Sequence, residues 1–281
     1  MIDLHTHSTA SDGTEAPAVV VEQAVRAGLT TVGLTDHDTT LGWGEASDAA
    51  RRLGIALVPG IEVSCSRRGR SVHLLAYLPD PAHADLCDEL ERARTSRDTR
   101  LERMVELMAS DGIPVTLDEV LAQVDEGATA GRPHIADALL ASGVVDDRDE
   151  AFDRWLGNEG PYYVGHYAPD PVHAVRVVRS AGGVAVVAHA HSVTRGRVLP
   201  DDLLAEMAEA GMAGIEARHR DHTPESVRHL TDLARGLGLF TTGSSDYHGA
   251  GKRNRLGENT TEPEVLERIE DLATGTEVVR P

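Results

Sequence analysis

The chain has 281 residues, 41% apolar and 26% charged, enough for one large globular domain or one domain carrying an insertion. Its formal net charge of -19 disfavours stable binding to duplex nucleic acid or an anionic membrane, but a local cationic pocket can still hold a short anionic ligand. Cys65 and Cys87 are too few for a disulfide framework, no apolar run is long enough to span a bilayer, and Met1 to His5 offers no leader, so a cytoplasmic home is expected.

Short apolar runs follow one another at 2–5, 31–35, 56–63, 72–77, 184–189, 214–217 and 239–243. Amphipathic segments at 17–27, 43–53, 171–180, 203–210 and 224–237 lie between most of them, and such alternation predicts a parallel α/β fold. The runs end on ionisable residues: His5 and His7, then Asp36-His37-Asp38, then Glu62, His73, His189 and His219, and last Asp246 with His248. A closed barrel of parallel strands collects all of these at one rim, whereas an open sheet gathers ligands only at its switch point. A barrel is therefore expected, from residues 1–89 and 169–281. Residues 90–168, with helical stretches at 90–110 and 117–124, read as an inserted, mostly helical cap domain. Within it Arg94, Arg97, Arg100 and Arg103 recur at threes and read as a solvated helix face paired with Glu91 and Glu102.

Several of these residues have the spacing of metal ligands. In His5-Thr6-His7 the alternate residues of a strand point the same way, so both imidazoles can grip one ion, and Asp12 follows closely enough to swing back toward it. Three ionisable groups in a row at Asp36-His37-Asp38 are costly to bury unless a metal or a charge network holds them. Glu62 ends an apolar strand, where a carboxylate can bridge two cations. His73 reads equally well as a core histidine. Pro133 can start a helix that turns Arg132 and His134 into one pocket, and Asp246-Tyr247-His248 mirrors the opening pair. Nitrogen and oxygen ligands without cysteine suit Zn, Mn or Fe better than Mg or Ca. Nine candidate ligands exceed what one ion can use, so two to three divalent transition metal ions are expected. A nucleophilic serine elbow, a P-loop and a dinucleotide fingerprint are all missing from the sequence.

In this order the motifs resemble the PHP (polymerase and histidinol phosphatase) family: His5/His7, Asp12, His37, Glu62, His73, His134 and Asp246/His248. The resemblance implies a distorted (β/α)7 barrel. It implies one ion on His5, His7, Glu62 and Asp246, a second on Asp12, His37 and His248, and a third on Glu62, His73 and His134. The branch with a helical insertion resembles 3',5'-bisphosphonucleotide phosphatases and a 5'-to-3' exonuclease of short RNA. Histidinol-phosphate phosphatases are more distant. The branch follows its fifth-strand His with Pro and then a phosphate-binding Arg. Here the chain reads Val187-Ala188-His189-Ala190-His191-Ser192, so His191 takes that neighbourhood and Arg195 or Arg197 would supply the cation.

The expected reaction is hydrolysis of a phosphomonoester by a hydroxide bridging two ions. Arg132, with Arg195 or Arg197, would neutralise the phosphoryl oxygens, and His189 would orient the group or carry the leaving group's proton. His219 and His222 would contact a second phosphate or sugar. Phe152, Trp155, Tyr162, Tyr163 and Tyr167 crowd where the cap rejoins the barrel, as a hydrophobic plug or a platform for a base. Two rivals remain: a non-catalytic PHP module would have lost ligands, and a C–N hydrolase of amidohydrolase type would need a metal-bridging lysine. Lys252, the only lysine, follows the last strand.

Overall fold

The computed structural model describes residues 1–192 and 197–281, with Arg197 described by its backbone; Arg195 lies outside the described residues. The strands are β1 (Ile2–Thr6), β2 (Thr31–Leu34), β3 (Ala56–Arg67), β4 (Arg70–Tyr77), β5 (Val184–Val187), β6 (His191–Ser192), β7 (Arg197–Val198), β8 (Gly214–Arg218) and β9 (Phe240–Gly243). Seven of them form one sheet in the order β1-β2-β3-β4-β5-β8-β9, while β6 and β7 make a separate two-stranded ribbon. The sheet curls until its last strand meets its first. Thr6 bridges to Tyr247, and the His7 N–H donates to the Tyr247 carbonyl at 2.8 Å. The fold is thus the expected distorted seven-stranded α/β barrel.

Helices α1 (Pro17–Arg26) and α2 (Trp43–Leu53) follow β1 and β2. Between β4 and β5 come α3 (Ala84–Ser110), α4 (Leu117–Leu121), α5 (Arg132–Ala141), α6 (Arg148–Ala151), a π-turn (Phe152–Leu156) and α7 (Pro171–Ser180). Helices α8 (Asp201–Glu209), α9 (Pro224–Gly236) and α10 (Pro263–Leu272) complete the outer layer. A proline in the first turn starts α1, α7, α9 and α10, where its missing N–H costs nothing. Asp170 and Thr223 cap α7 and α9 by accepting from first-turn N–H groups.

One strand departs from the parallel expectation. Strand β3 pairs in parallel with β2 as far as Pro59, then runs past Glu62 into an antiparallel hairpin with β4. The hairpin turns at Arg68-Gly69, both at positive φ (53° and 77°), the two-residue geometry that follows strand twist. Such a turn leaves no room for a crossover helix, so β4 runs antiparallel to β3 and to β5. His73 therefore lies in the first half of a strand that leaves the rim, not at the end of one that reaches it.

Two apolar cores share helix α3. Leu86 and Leu90 pack with Ile61, Leu74, Val175 and Val187 on the barrel, whereas Leu101, Met104, Val105 and Met108 pack with Val120, Ile135, Leu139 and Leu156. Residue 90 thus falls inside α3, and the helix passes from one core into the other.

Candidate metal centre

The last residues of β1 and the loop after it begin the site. His5 and His7 are fully buried, and their Nε2 atoms lie 3.1 Å apart. Two nitrogens bound at about 2.1 Å to one ion are separated by about 3.0–3.4 Å, so the spacing fits a shared cation. Asp12 is carried back over β1 by the tight loop before Gly13. A Cβ at Gly13 would stand 2.6 Å from the His7 carbonyl oxygen, so only glycine permits that approach. Asp246 and His248 reach the same place from the loop after β9.

Three groups of ligand-type atoms gather here, each with its atoms within 4.8 Å of one another: His5, His7, Glu62 and Asp246; His7, Asp12, His37 and His248; and His37, Glu62 and His73. Glu62 ties them together. Its Oε2 lies 3.2, 3.0 and 3.4 Å from His5, His7 and His37, and its Oε1 lies 2.6 and 2.9 Å from His73 and His189. The parallel bridge between His37 and Glu62 sets the two side by side.

A layer of buried carboxylates holds the ring nitrogens in place, and the sequence reading passed over most of it. Glu216 on β8 accepts from His5 Nδ1 at 3.0 Å and from the His189 N–H at 2.7 Å, leaving His5 Nε2 to face the cluster. The one cue was a glutamate inside the apolar run Gly214-Ile215-Glu216-Ala217. Asp36 accepts from the Ser8 N–H and hydroxyl and from the Ser11 hydroxyl, each at 2.7 Å. His248 donates from Nδ1 to the Asp246 carbonyl at 2.8 Å, turning Nε2 toward Asp12 at 3.2 Å. Lys252, set aside above for its position after the last strand, pairs with Asp246 Oδ2 at 3.1 Å. Three of the five non-glycine residues at positive φ among those described, Asp38, His189 and Asp246, belong to this rim, where backbone strain commonly marks function.

The field of the site favours cations. Burial alone would raise Glu62 and Asp12, yet the neighbouring histidines hold both well below the usual carboxylate range. Burial alone would lower His5 and His7; carboxylates led by Glu62 keep His5 well above its usual range, and Asp246 and Glu62 lift His7 to about 9. His37 Nδ1 and His248 Nε2 are buried and make no hydrogen bond, although each faces a carboxylate oxygen, at 3.4 and 3.2 Å. Lone pairs and carboxylates converging without hydrogen-bond alignment suit divalent ions between them.

The PHP domain model matches residues 3–141. A 3',5'-nucleoside bisphosphate phosphatase of Chromobacterium violaceum is 34% identical over 90% of this chain and 89% of its own length. A phosphoribosyl 1,2-cyclic phosphate 1,2-diphosphodiesterase of Eggerthella lenta is 36% identical over 88% of this chain and 94% of its own. The chain belongs to the PHP family. A solved structure from Bifidobacterium adolescentis, described as that of a candidate metal-dependent phosphoesterase, superposes with a TM-score of 0.94 at 41% identity, covering 97% of this chain and 96% of the other. Family and enzyme class therefore agree with the sequence reading: this PHP chain is a hydrolase of the phosphoesterase class. No described helix is long and apolar enough to cross a membrane.

Other residues singled out in the sequence are distributed unevenly around the PHP centre. His134 joins none of the three groups among the described residues. Its Nδ1 accepts from the Gly131 N–H at 3.0 Å, and it lines a cavity of about 370 Å³ with Thr9, Gly13, Asp137 and Arg148. His189 is within the cluster. His219 is beside it, with Nε2 3.6 Å from Asp246 Oδ2. His222 has both ring nitrogens engaged by backbone, Nδ1 donating to the Ala217 carbonyl at 2.8 Å and Nε2 accepting from the His191 N–H at 3.1 Å, which leaves neither for a substrate. His191 faces His222 and His229, away from Glu62. Arg132 donates to the Leu156 carbonyl at 2.6 Å and lies over Phe152 and Tyr163. Of the five aromatics, Phe152, Trp155 and Tyr162 pack on the helical core, and Tyr163 is the most exposed.

The solvated arginine face is corrected by the structure. Arg103 does lie outward, taking Glu106 in place of Glu102, while the half-buried Arg94 pairs with Glu91 and also donates to the Asp38 carbonyl at 3.3 Å. Arg97 and Arg100 are buried. Arg97 reaches Asp38 at 2.9 Å and also bonds Ser64, while Arg100 donates to His166 at 3.1 Å. Burial comes first in lowering Arg100 to about 9, with Arg97 and Arg132 adding to it. Arg97 and Arg100 thus share a protected region, Asp38 being the carboxylate partner of Arg97, with the half-buried Arg132 near enough to act on Arg100.

Proposed function

We propose that this protein removes a phosphomonoester from a small nucleotide, best the 3'-phosphate of a 3',5'-bisphosphonucleotide, with the 5' end of short oligonucleotides as the related substrate. The observation that carries this reading is the pairing of the Glu62-centred cluster with the buried Arg97 and Arg100 and the half-buried Arg132. Such a gathering of cations beside a metal-type site suits a ligand with more than one phosphate. The name of the Chromobacterium relative supports a nucleotide bearing two phosphates. The Eggerthella relative's name supports phosphate esters of ribose more broadly, cyclic diesters included.

In this reading His5, His7, Glu62 and Asp246, then Asp12, His37 and His248, then Glu62 and His73, hold two to three Mn, Fe or Zn ions. Such ions supply an activated water and positive charge for phosphoryl oxygens. Arg132 and Arg97 bind the non-bridging oxygens. His189, whose Nε2 lies 2.9 Å from Glu62, delivers its proton to the leaving oxygen. Arg195 or Arg197 supplies a further cation for the phosphoryl oxygens, and His219 contacts a second phosphate or sugar. The helical segment between β4 and α7 acts as a cap that brings Arg97, Arg100 and Arg132 over the barrel mouth.

The test is a comparison of the Mn-reconstituted protein on four esters: a 3',5'-bisphosphonucleotide, a 5'-phosphorylated trinucleotide, a ribose 1,2-cyclic phosphate and an aryl phosphate. The bisphosphonucleotide should give the highest kcat/KM and lose its 3'-phosphate. A preference for the cyclic diester, or no hydrolysis of any, would overturn the assignment.

A further inference from the structure

On the far side of the β5 turn from the metal centre, His191, Asp201 and His229 come together from β6, the first residue of α8 and the second turn of α9. One ligand-type atom from each lies within 4.8 Å of the others. The His191 and His229 rings are nearly parallel, tilted by 18°, with centroids 5.3 Å apart. His229 Nε2 lies 2.8 Å from Asp201 Oδ1. His191 is nine-tenths buried, and its Nε2 has no hydrogen-bond partner. A buried ring nitrogen left in that state has lost water and gained nothing. The contact between His229 and Asp201 does not relieve it. A cation held by all three would.

We infer that His191, Asp201 and His229 form a second, separate transition-metal site, suited to a zinc-class ion. Two imidazoles and one carboxylate, with no cysteine, match the donors such ions prefer, and the half-exposed Asp201 and His229 leave a fourth position to water. His222 stands by as a support and not as a ligand. Both its nitrogens are occupied, and the bond it accepts from the His191 N–H fixes the backbone that carries the ligand ring. The ion would pin α8, α9 and the turn after β5 to one another. The site uses none of the Glu62-centred ligands, so it stands or falls independently of the proposed reaction.

The experiment is zinc content per chain after equilibrium dialysis, for the wild type, His229→Ala and Asp201→Asn. Both substitutions are at half-exposed positions, and having two of them guards against one failing to fold. The wild type should hold one equivalent more than either variant, and added zinc should raise its melting temperature further than theirs. Turnover of the Mn-loaded variants should match the wild type. Equal zinc content in all three proteins overturns the site. Loss of zinc and turnover together would equally overturn it, because the ion would then belong to the chemistry.

Discussion

Glu62 lies within 3.4 Å of a nitrogen on each of five histidines. Removing its charge should therefore disturb more than one ion at once. Glu62→Gln, which keeps the shape, should lower kcat by at least about 100-fold and reduce bound metal, while His73→Ala should spare most of the metal. Elemental analysis beside initial rates checks this, and a Gln variant with normal turnover and metal would sink it. The arginines make a different prediction. Arg97→Ala and Arg132→Ala should keep their metals yet lose about 3–5 kcal/mol of transition-state binding, at least about two orders of magnitude in kcat/KM. Full activity in both would leave phosphate to the ions and histidines alone. The sequence exposed the ligands because each pair is local: His5 with His7, Asp246 with His248. Arg97 and Glu216 were hidden because their meaning depends on what a distant strand brings against them. A helical arginine repeat looks the same whether it faces water or Asp38.

Strand and helix order was legible from alternating apolar and amphipathic runs, but strand direction was not. Periodicity is blind to direction, and only the shortness of the Arg68-Gly69 turn decides that β4 must run backwards. Helix α10 was missed because it lies after the last apolar run, with no further strand to follow it among the described residues. The chain leaving the helical segment offers a prediction of its own. Burial, then Arg100, Arg97 and Arg132, hold His166 down to about 2, and its Nδ1 accepts from Arg100. A histidine lowered on folding contributes stability that is full above its unfolded pKa, near 6.5, and is lost as pH falls toward the folded value. The slope from one such group is at most about 1.4 kcal/mol per pH unit. Between pH 7 and 5 the wild type should therefore lose melting temperature faster than His166→Gln, which can still accept from Arg100. Parallel profiles for the two proteins would remove His166 from the account.

At the scale of the whole molecule, the metal centre closes the barrel. Asp12, Glu62 and Asp246 bring their charges to the seam where Tyr247 meets Thr6 and His7, so ions there join the first strand to the last. Chelation should abolish turnover and lower the melting temperature by about 10 °C, the size expected when a ligand present at about 1,000 times its Kd is withdrawn. Mn should restore both, and activity that survives chelation would contradict the reading. Helix α3 has a consequence of another kind. Its first turns are part of the barrel core and its last turns part of the helical one, so neither core can melt without stripping one side of the same 27-residue rod. The two should unfold in a single cooperative transition, seen as one calorimetric peak. A segment bound in this way is not a module that can be cut out, because excising it takes Leu86 and Leu90 from the barrel or Leu101 and Met104 from itself.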